Sequence, residues 1–173
     1  MIMTGIKTAA KIAGSTMLLI VAVMLAPGQA PDFSAPSRSA AKSEAVSYLF
    51  PEQVTVPSGK PTQVALHFRI GPGLHINSHT PKDEFLIPTT FSIPDGSGVR
   101  LEAANYPAGT PFTLPVDPGT KLDVYTGEFT IQTRIVAQAG DHLVEAKLRY
   151  QACDQNACMP PKTITVPIDV IGK

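Results

Sequence analysis

The stretch that decides the fold is residues 143–153, LVEAKLRYQAC, in which apolar and polar side chains alternate one by one from Val144 to Ala152. This period-two alternation is typical of a β-strand with one face in a core and the other in water. The apolar face comprises Val144, Ala146, Leu148, Tyr150 and Ala152. Continuing the alternation puts Cys153 on the polar face, so we expect its sulfur to be accessible to another protein's thiol.

Similar runs, separated by turn-forming residues, extend outward from this stretch in both directions. Folding is expected to start near Tyr48, with strands at Gln53–Val56, Val64–Ile70, Leu74–Asn77, Ile87–Ile93, Val99–Ala103, Val124–Ala137, Leu143–Ala152 and Thr163–Val170. The 17 Pro and 13 Gly follow no period, which disfavours long helices and coiled coils. Seven or eight short strands at this spacing predict an all-β, antiparallel β-sandwich.

The charge balance excludes one class of partner. Fourteen Lys and Arg residues match fourteen Asp and Glu residues, so the chain lacks the basic surface that nucleic acids and anionic membranes attract. We therefore expect no nucleic-acid partner.

The first residues have the pattern of an export signal. Lys7 and Lys11 precede an apolar run over residues 17–26, and the small-x-small site Gly28-Gln29-Ala30 follows. We interpret residues 1–30 as a signal peptide or an uncleaved membrane anchor, and the Ser/Ala/Pro-rich residues 31–46 as a flexible tether. Residues 47–173 then form the folded domain. This organisation predicts a periplasmic or otherwise extracytoplasmic location, in which disulfides persist.

Cys153 and Cys158 enclose four turn-forming or small residues, Asp154-Gln155-Asn156-Ala157, between two strand-like runs. This spacing predicts a hairpin in which the two Cα atoms lie roughly 4.5–5.5 Å apart, so that a disulfide can form. The bridge has two interpretations, a structural clip and a redox pair. Closing so short a loop contributes only about 2 kcal/mol in the chain-entropy model. Pro160 and Pro161 then keep the next segment unpaired or at a sheet edge, where a partner could dock.

Several of these segments together resemble a known family. Leu148-Arg149-Tyr150-Gln151-Ala152-Cys153, Cys158-Met159-Pro160-Pro161-Lys162-Thr163 and Val166-Pro167 resemble the amino-terminal periplasmic domain of the thiol:disulfide interchange protein DsbD. The segments Gly73-Leu74-His75-Ile76-Asn77 and Leu122-Asp123-Val124-Tyr125 extend the resemblance over about residues 47–170.

The resemblance implies an immunoglobulin-like sandwich whose catalytic pair is Cys153 and Cys158. The pair would take electrons from a membrane-embedded thiol carrier of the DsbD or CcdA type and pass them to exported thioredoxin-like or disulfide-isomerase proteins, with no cofactor. Cys158 would exchange with the acceptor and Cys153 would resolve. The chain ends at Lys173 without a carrier domain or a thioredoxin-like domain, so these would act in trans.

The candidate residues that support or cover the pair are Phe112, Tyr125, His75, Asn77, Tyr150, Gln151, Pro160 and Pro161. Phe112, in the segment Thr110–Leu114, is the counterpart of the aromatic residue on the family's cap loop. Tyr150 and, by a smaller margin, Tyr125 are interpreted as core residues. This chain departs from the best-known members in having one residue fewer between the cysteines, and His75 and Asn77 near positions where those members carry tyrosines.

Two other functions remain open on the sequence. One is a non-enzymatic sandwich for adhesion or assembly, in which the disulfide is only a clip. The other is metal carriage by His75 and His79 together with the two cysteines. An extended strand places residues 75 and 79 about 13 Å apart, which is too far for one ion, so the sequence predicts no metal site.

Overall fold

A computed structural model describes residues 44–49, 53–115 and 117–173, with only the backbone described at residue 117. The predicted signal segment 1–30 and residues 31–43 of the predicted tether lie outside the described residues. Within the described part, no helix is long and apolar enough to cross a membrane.

The described part of the chain consists of strands and their connections, which confirms the all-β prediction. The strands are β1 (Val46–Leu49), β2 (Gln53–Val56), β3 (Thr62–Ile70), β4 (His75–Asn77), β5 (Thr90–Ser92), β6 (Val99–Asn105), β7 (Thr110–Leu114), β8 (Asp117–Tyr125), β9 (Glu128–Ala137), β10 (Gly140–Tyr150), β11 (Ala152–Cys153) and β12 (Lys162–Gly172).

The described strands number twelve, whereas the sequence predicts seven or eight. The predicted strand Val124–Ala137 is two strands, because the chain turns at Thr126-Gly127 and Gly127 adopts a left-handed φ of 62° that suits glycine. The predicted strand Leu143–Ala152 is also divided, at Gln151. Strand β7 was not predicted, since its sequence TPFTL contains a proline and is too short for a clear alternation.

The strands form three four-stranded sheets. Their orders are β1-β3-β9-β6, β2-β12-β10-β5 and β11-β4-β8-β7. All neighbouring pairs are antiparallel except β2 and β12. The third sheet is small and contains the first cysteine, so it positions the candidate site.

The first two sheets contribute their inner faces to one hydrophobic core, which confirms the immunoglobulin-like sandwich. Alternate residues of β3 and β9 are buried in it, and so are alternate residues of β10 and β12. The largest fully buried side chains include Tyr150, Phe68, Leu66, Ile131, Ile135 and Leu148. The alternation predicted for residues 144–150 is therefore correct along the whole of β10.

Candidate functional site

The two cysteines form a disulfide across a tight hairpin. Their sulfurs are 2.03 Å apart and their Cα atoms 3.9 Å apart, closer than the 4.5–5.5 Å expected from the sequence. Cys153 and Cys158 make an isolated antiparallel bridge, and on either side of it the Asp154 N–H donates to Ala157 O and the Met159 N–H donates to Ala152 O. The predicted hairpin is thus present.

Asp154 organises the loop between the cysteines. Its Oδ1 accepts hydrogen bonds from the backbone N–H groups of Asn156 and Ala157, at 2.7 and 2.8 Å. These bonds favour the carboxylate and lower the pKa of Asp154 below its ordinary value. Asp154 was not among the predicted site residues, although an Asp in a short loop is a signal for this kind of turn, because its side chain can accept from the backbone N–H two residues on.

The two cysteines differ in exposure, and the prediction for Cys153 is wrong. Cys153 is 1% exposed, whereas Cys158 is exposed. The alternation of β10 does not continue, because the chain leaves the second sheet at Tyr150 and pairs with β4 of the third sheet from Ala152 onward. This change of sheet at Gln151 leaves both Ala152 and Cys153 buried. A partner's thiol can therefore approach the pair at Cys158.

His75 lies directly beside Cys153. The β4–β11 register pairs Cys153 with His75 and Ala152 with Ile76. His75 is only 2% exposed, and its Nε2 has no hydrogen-bond partner among the described residues. Burial lowers the pKa of His75, while the negative charge of Asp154 opposes that shift. His75 is therefore a buried imidazole next to the inner sulfur.

Phe112 covers His75. The two ring centroids are 4.4 Å apart with their planes tilted by 37°. The predicted cap segment Thr110–Leu114 is not a loop but edge strand β7, which pairs with β8. Phe112, His75 and Gln155 line one open cleft of about 520 Å³ beside the hairpin, together with the Gly71-Pro72-Gly73 turn.

Asn77 and Gln151 link β4 to the segment that follows Cys158. The Asn77 amide donates to Gln151 Oε1 at 3.3 Å and to Ile87 O at 3.1 Å. Gln151 in turn donates through Nε2 to Met159 O at 3.2 Å. These two predicted site residues therefore lie in one hydrogen-bonded chain that ends next to the exposed cysteine.

Tyr125 and Tyr150 are buried residues of the hydrophobic core. Tyr125 is buried and stacks on Phe129 at 5.0 Å, while its hydroxyl donates to Pro107 O and accepts from the His79 N–H. Burial raises the pKa of Tyr125. Tyr150 is 1% exposed and belongs to the core, as predicted, and burial raises its pKa as well.

Pro160 and Pro161 are exposed and lie outside the strands, between Cys158 and the start of β12 at Lys162. They leave this segment without a regular strand partner among the described residues.

Of the four residues considered for metal binding, His75 lies beside the Cys153–Cys158 disulfide, whereas His79 has other partners. His79 stacks on Tyr106, with ring centroids 3.8 Å apart, and its Nδ1 lies 2.8 Å from Thr89 O, so it is engaged away from the disulfide. Within the described part of the chain there is no group of three or more His, Cys, Asp and Glu side chains that could hold a metal ion.

Comparison with known proteins identifies one family. The model of the family described as "Thiol:disulfide interchange protein DsbD, N-terminal" matches residues 45–169. No curated protein sequence matches the chain.

The solved structures that are similar to it include two N-terminal domains. The Neisseria meningitidis DsbD N-terminal domain in the reduced form has 17% identity and a TM-score of 0.44, over 62% of this chain and 77% of that one. The N-terminal periplasmic domain of ScsB from Proteus mirabilis has 12% identity and a TM-score of 0.49, over 72% of this chain and 44% of that one.

Proposed function

Because the family model covers residues 45–169, the chain belongs to the DsbD N-terminal-domain family, and we propose that it works as an extracytoplasmic thiol–disulfide exchange module. The reactive group is the Cys153–Cys158 disulfide. The observation that carries the proposal is the asymmetry of this bridge, with an exposed Cys158 and a buried Cys153 in one hairpin. Exchange requires a thiolate to reach one particular sulfur, and this arrangement offers Cys158 for that attack.

The exchange runs in two half-reactions. A membrane-embedded thiol carrier reduces the bridge: its thiolate attacks Cys158, Cys153 leaves as a thiolate, and the carrier's second thiolate displaces Cys158. The carrier is oxidised to a disulfide and the pair becomes a dithiol. In the second half-reaction the Cys158 thiolate attacks the disulfide of an exported acceptor, and Cys153 then attacks Cys158 and releases the reduced acceptor.

The acceptors that suit this chemistry are exported thioredoxin-like or disulfide-isomerase proteins. They would approach the outer side of the hairpin. Cys158, Met159, Pro160 and Pro161 are all exposed there, so this side is accessible. Exchange of this kind needs no cofactor, because the cysteine sulfurs themselves carry the two electrons. The N-terminal segment would direct the domain to the periplasm and could tether it to the membrane.

Trapping of the mixed disulfide tests the proposal. Cys153→Ser leaves the accessible Cys158 without its resolving partner, so a thioredoxin-like acceptor that carries a disulfide should accumulate as a covalent adduct with this variant. The matched variant Cys158→Ser retains only the buried sulfur and should trap much less acceptor. Equal trapping by both variants, or none by either, would contradict the proposal.

A structural clip is the second candidate, and the burial of Cys153 favours it. The two functions differ in the reduction potential of the bridge. Structural disulfides in exported proteins have potentials below about −300 mV, whereas exchanging ones are less negative. Equilibration of the protein with thiol buffers of known potential therefore separates the two functions. A clip also predicts that Cys158→Ala lowers the free energy of unfolding by about 2 kcal/mol and leaves function intact.

A further inference from the structure

We propose that His75 accepts the proton of the Cys153 thiol when the reduced pair closes its disulfide again. This inference rests on the proposed exchange function and assigns a residue to its resolving step. It starts from the position of His75, which lies opposite Cys153 in the β4–β11 pair.

Strand register places the imidazole and the sulfur on one face. Directly opposed residues in an antiparallel pair project their side chains to the same side of the sheet, with Cβ atoms about 4.5–5.5 Å apart. Cys153 and His75 are such a pair, so the ring and the sulfur extend from neighbouring positions on one face of the sheet. The buried thiol consequently has a proton acceptor at close range, although water hardly reaches it.

The imidazole is also free to take the proton. His75 Nε2 is buried and has no hydrogen-bond partner among the described residues, a situation that is costly unless the nitrogen has another use. Phe112 packs on the ring and holds it in place. Burial lowers the pKa of His75, so the ring is neutral at pH 7 and has a lone pair to offer.

One charged group near His75, Asp154, stabilises the imidazolium once it forms. Asp154, just beyond β11, is the charge that raises the pKa of His75. Arg69 and Glu128 line the same cleft but bind each other at 2.7 Å, so they largely cancel. Strand β7 and the turn at residues 71–74 carry no charged side chain.

On the other side of β4, strand β8 places uncharged residues in register. It pairs Ile76 with Tyr125 and Asn77 with Val124. The nearest charged residue of β8 beyond this pairing is Asp123, whose backbone carbonyl accepts the N–H of Ser78. Asp154 is therefore the counter-ion for a protonated His75.

The resolving step then balances as follows. In the mixed disulfide the Cys153 thiol gives its proton to His75 Nε2, and the resulting thiolate attacks Cys158 Sγ. The Cys153–Cys158 bond forms, the bond between Cys158 and the acceptor breaks, and the acceptor leaves as a thiolate. His75 returns its proton to that thiolate or to water. The two electrons go from the cysteine pair to the acceptor.

Titration of the free protein tests this role without any partner, so a failure of the exchange proposal would not be confused with a failure of this one. In a Cys158→Ser background, thiolate absorbance at 240 nm reports Cys153 alone. Adding His75→Phe keeps an aromatic ring against Phe112 but removes the proton acceptor. We expect thiolate formation to shift upward by about one pH unit or more, because the variant loses both the group that takes the thiol's proton and the positive charge which that transfer places beside the thiolate.

The matched control is His142→Phe, which alters a histidine of β10 whose Nε2 lies 3.1 Å from Gln138 O and should leave the profile unchanged. If His75→Phe does not fold, NMR titration of His75 in the unmodified protein decides the matter. The imidazole should titrate at higher pH in the reduced protein, where a neighbouring thiolate stabilises its charge, than in the oxidised one. Superimposed thiolate profiles, or identical His75 titrations in the two redox states, would overturn the proposal.

Discussion

The hydrogen-bonded chain from Asn77 through Gln151 to Met159 makes a testable contribution to stability. We consider the substitution Asn77→Ala in the oxidised protein. It removes two donated bonds, one to Ile87 O at 3.1 Å and one to Gln151 Oε1 at 3.3 Å, from a side chain that is fully buried. Each bond contributes about 0.5–1.5 kcal/mol, so we expect the free energy of unfolding to fall by about 1–3 kcal/mol.

The bond that Asn77 and Gln151 share determines how their substitutions combine. Gln151→Ala alone removes that bond and the one to Met159 O, and should cost about 1–2 kcal/mol because the site is partly exposed. In the double variant the shared bond is lost only once. The combined loss should therefore fall short of the sum by about 0.5–1.5 kcal/mol.

Equilibrium unfolding in urea, followed by far-UV circular dichroism, measures all four corners of this cycle. The matched control is Gln53→Ala, which removes a surface amide that donates to Asp169 at 2.7 Å. It should cost less than about 0.5 kcal/mol and add to Asn77→Ala without coupling. A coupling between Asn77 and Gln151 below about 0.3 kcal/mol would refute the contact and with it the link from β4 to the exposed cysteine.

Three further outcomes follow from the core and the site. Leu148→Ala, at a fully buried position, should lower the free energy of unfolding by about 2–5 kcal/mol. Leu143→Ala, at a position 74% exposed on the same strand, should change it by less than about 0.5 kcal/mol. Equal losses in the two variants would contradict the packing. Phe112→Ala should cost about 1 kcal/mol and speed reduction of the disulfide by a small thiol, while Phe85→Ala, 84% exposed, should do neither. Folding lowers the pKa of His75, so the unfolded chain binds more protons than the folded one below about pH 6.5. The free energy of unfolding should therefore fall as the pH is lowered from 7.5 to 5.5. In His75→Phe it should fall less steeply over the same range.

Much of the sandwich could be predicted from local alternation. Strand β2 begins and ends at the predicted residues, Gln53 and Val56. Strand β3 contains the predicted strand Val64–Ile70 and buries its alternate residues Val64, Leu66, Phe68 and Ile70. Such predictions succeed because each strand's inner face must be apolar to join the core. Boundaries between consecutive strands were less predictable, because Thr126-Gly127 interrupts an alternation that continues on either side of it.

The surroundings of the cysteines could be predicted only in part. His75, Asn77 and Phe112 were singled out by resemblance, and the structure places them around the hairpin through pairings that span long stretches of sequence, such as His75 with Cys153. No periodicity within a strand encodes which distant strand will lie beside it. The role of Asp154 in ordering the loop is local, by contrast, and its spacing to Asn156 was available in the sequence.

The change of sheet at Gln151 explains both the failed prediction for Cys153 and the asymmetry on which the proposed exchange rests. Had β10 continued in register, Cys153 would have remained on the solvent face of a regular strand, and neither sulfur would have been distinguished by burial. Instead Ala152 and Cys153 join β4, and the inner sulfur lies beside a buried imidazole while Cys158 stays exposed. A loop of about six residues contributes only about 2 kcal/mol on closure, far less than a core of this size supplies. We therefore expect the sandwich to stay folded when the bridge opens, as the proposed exchange requires.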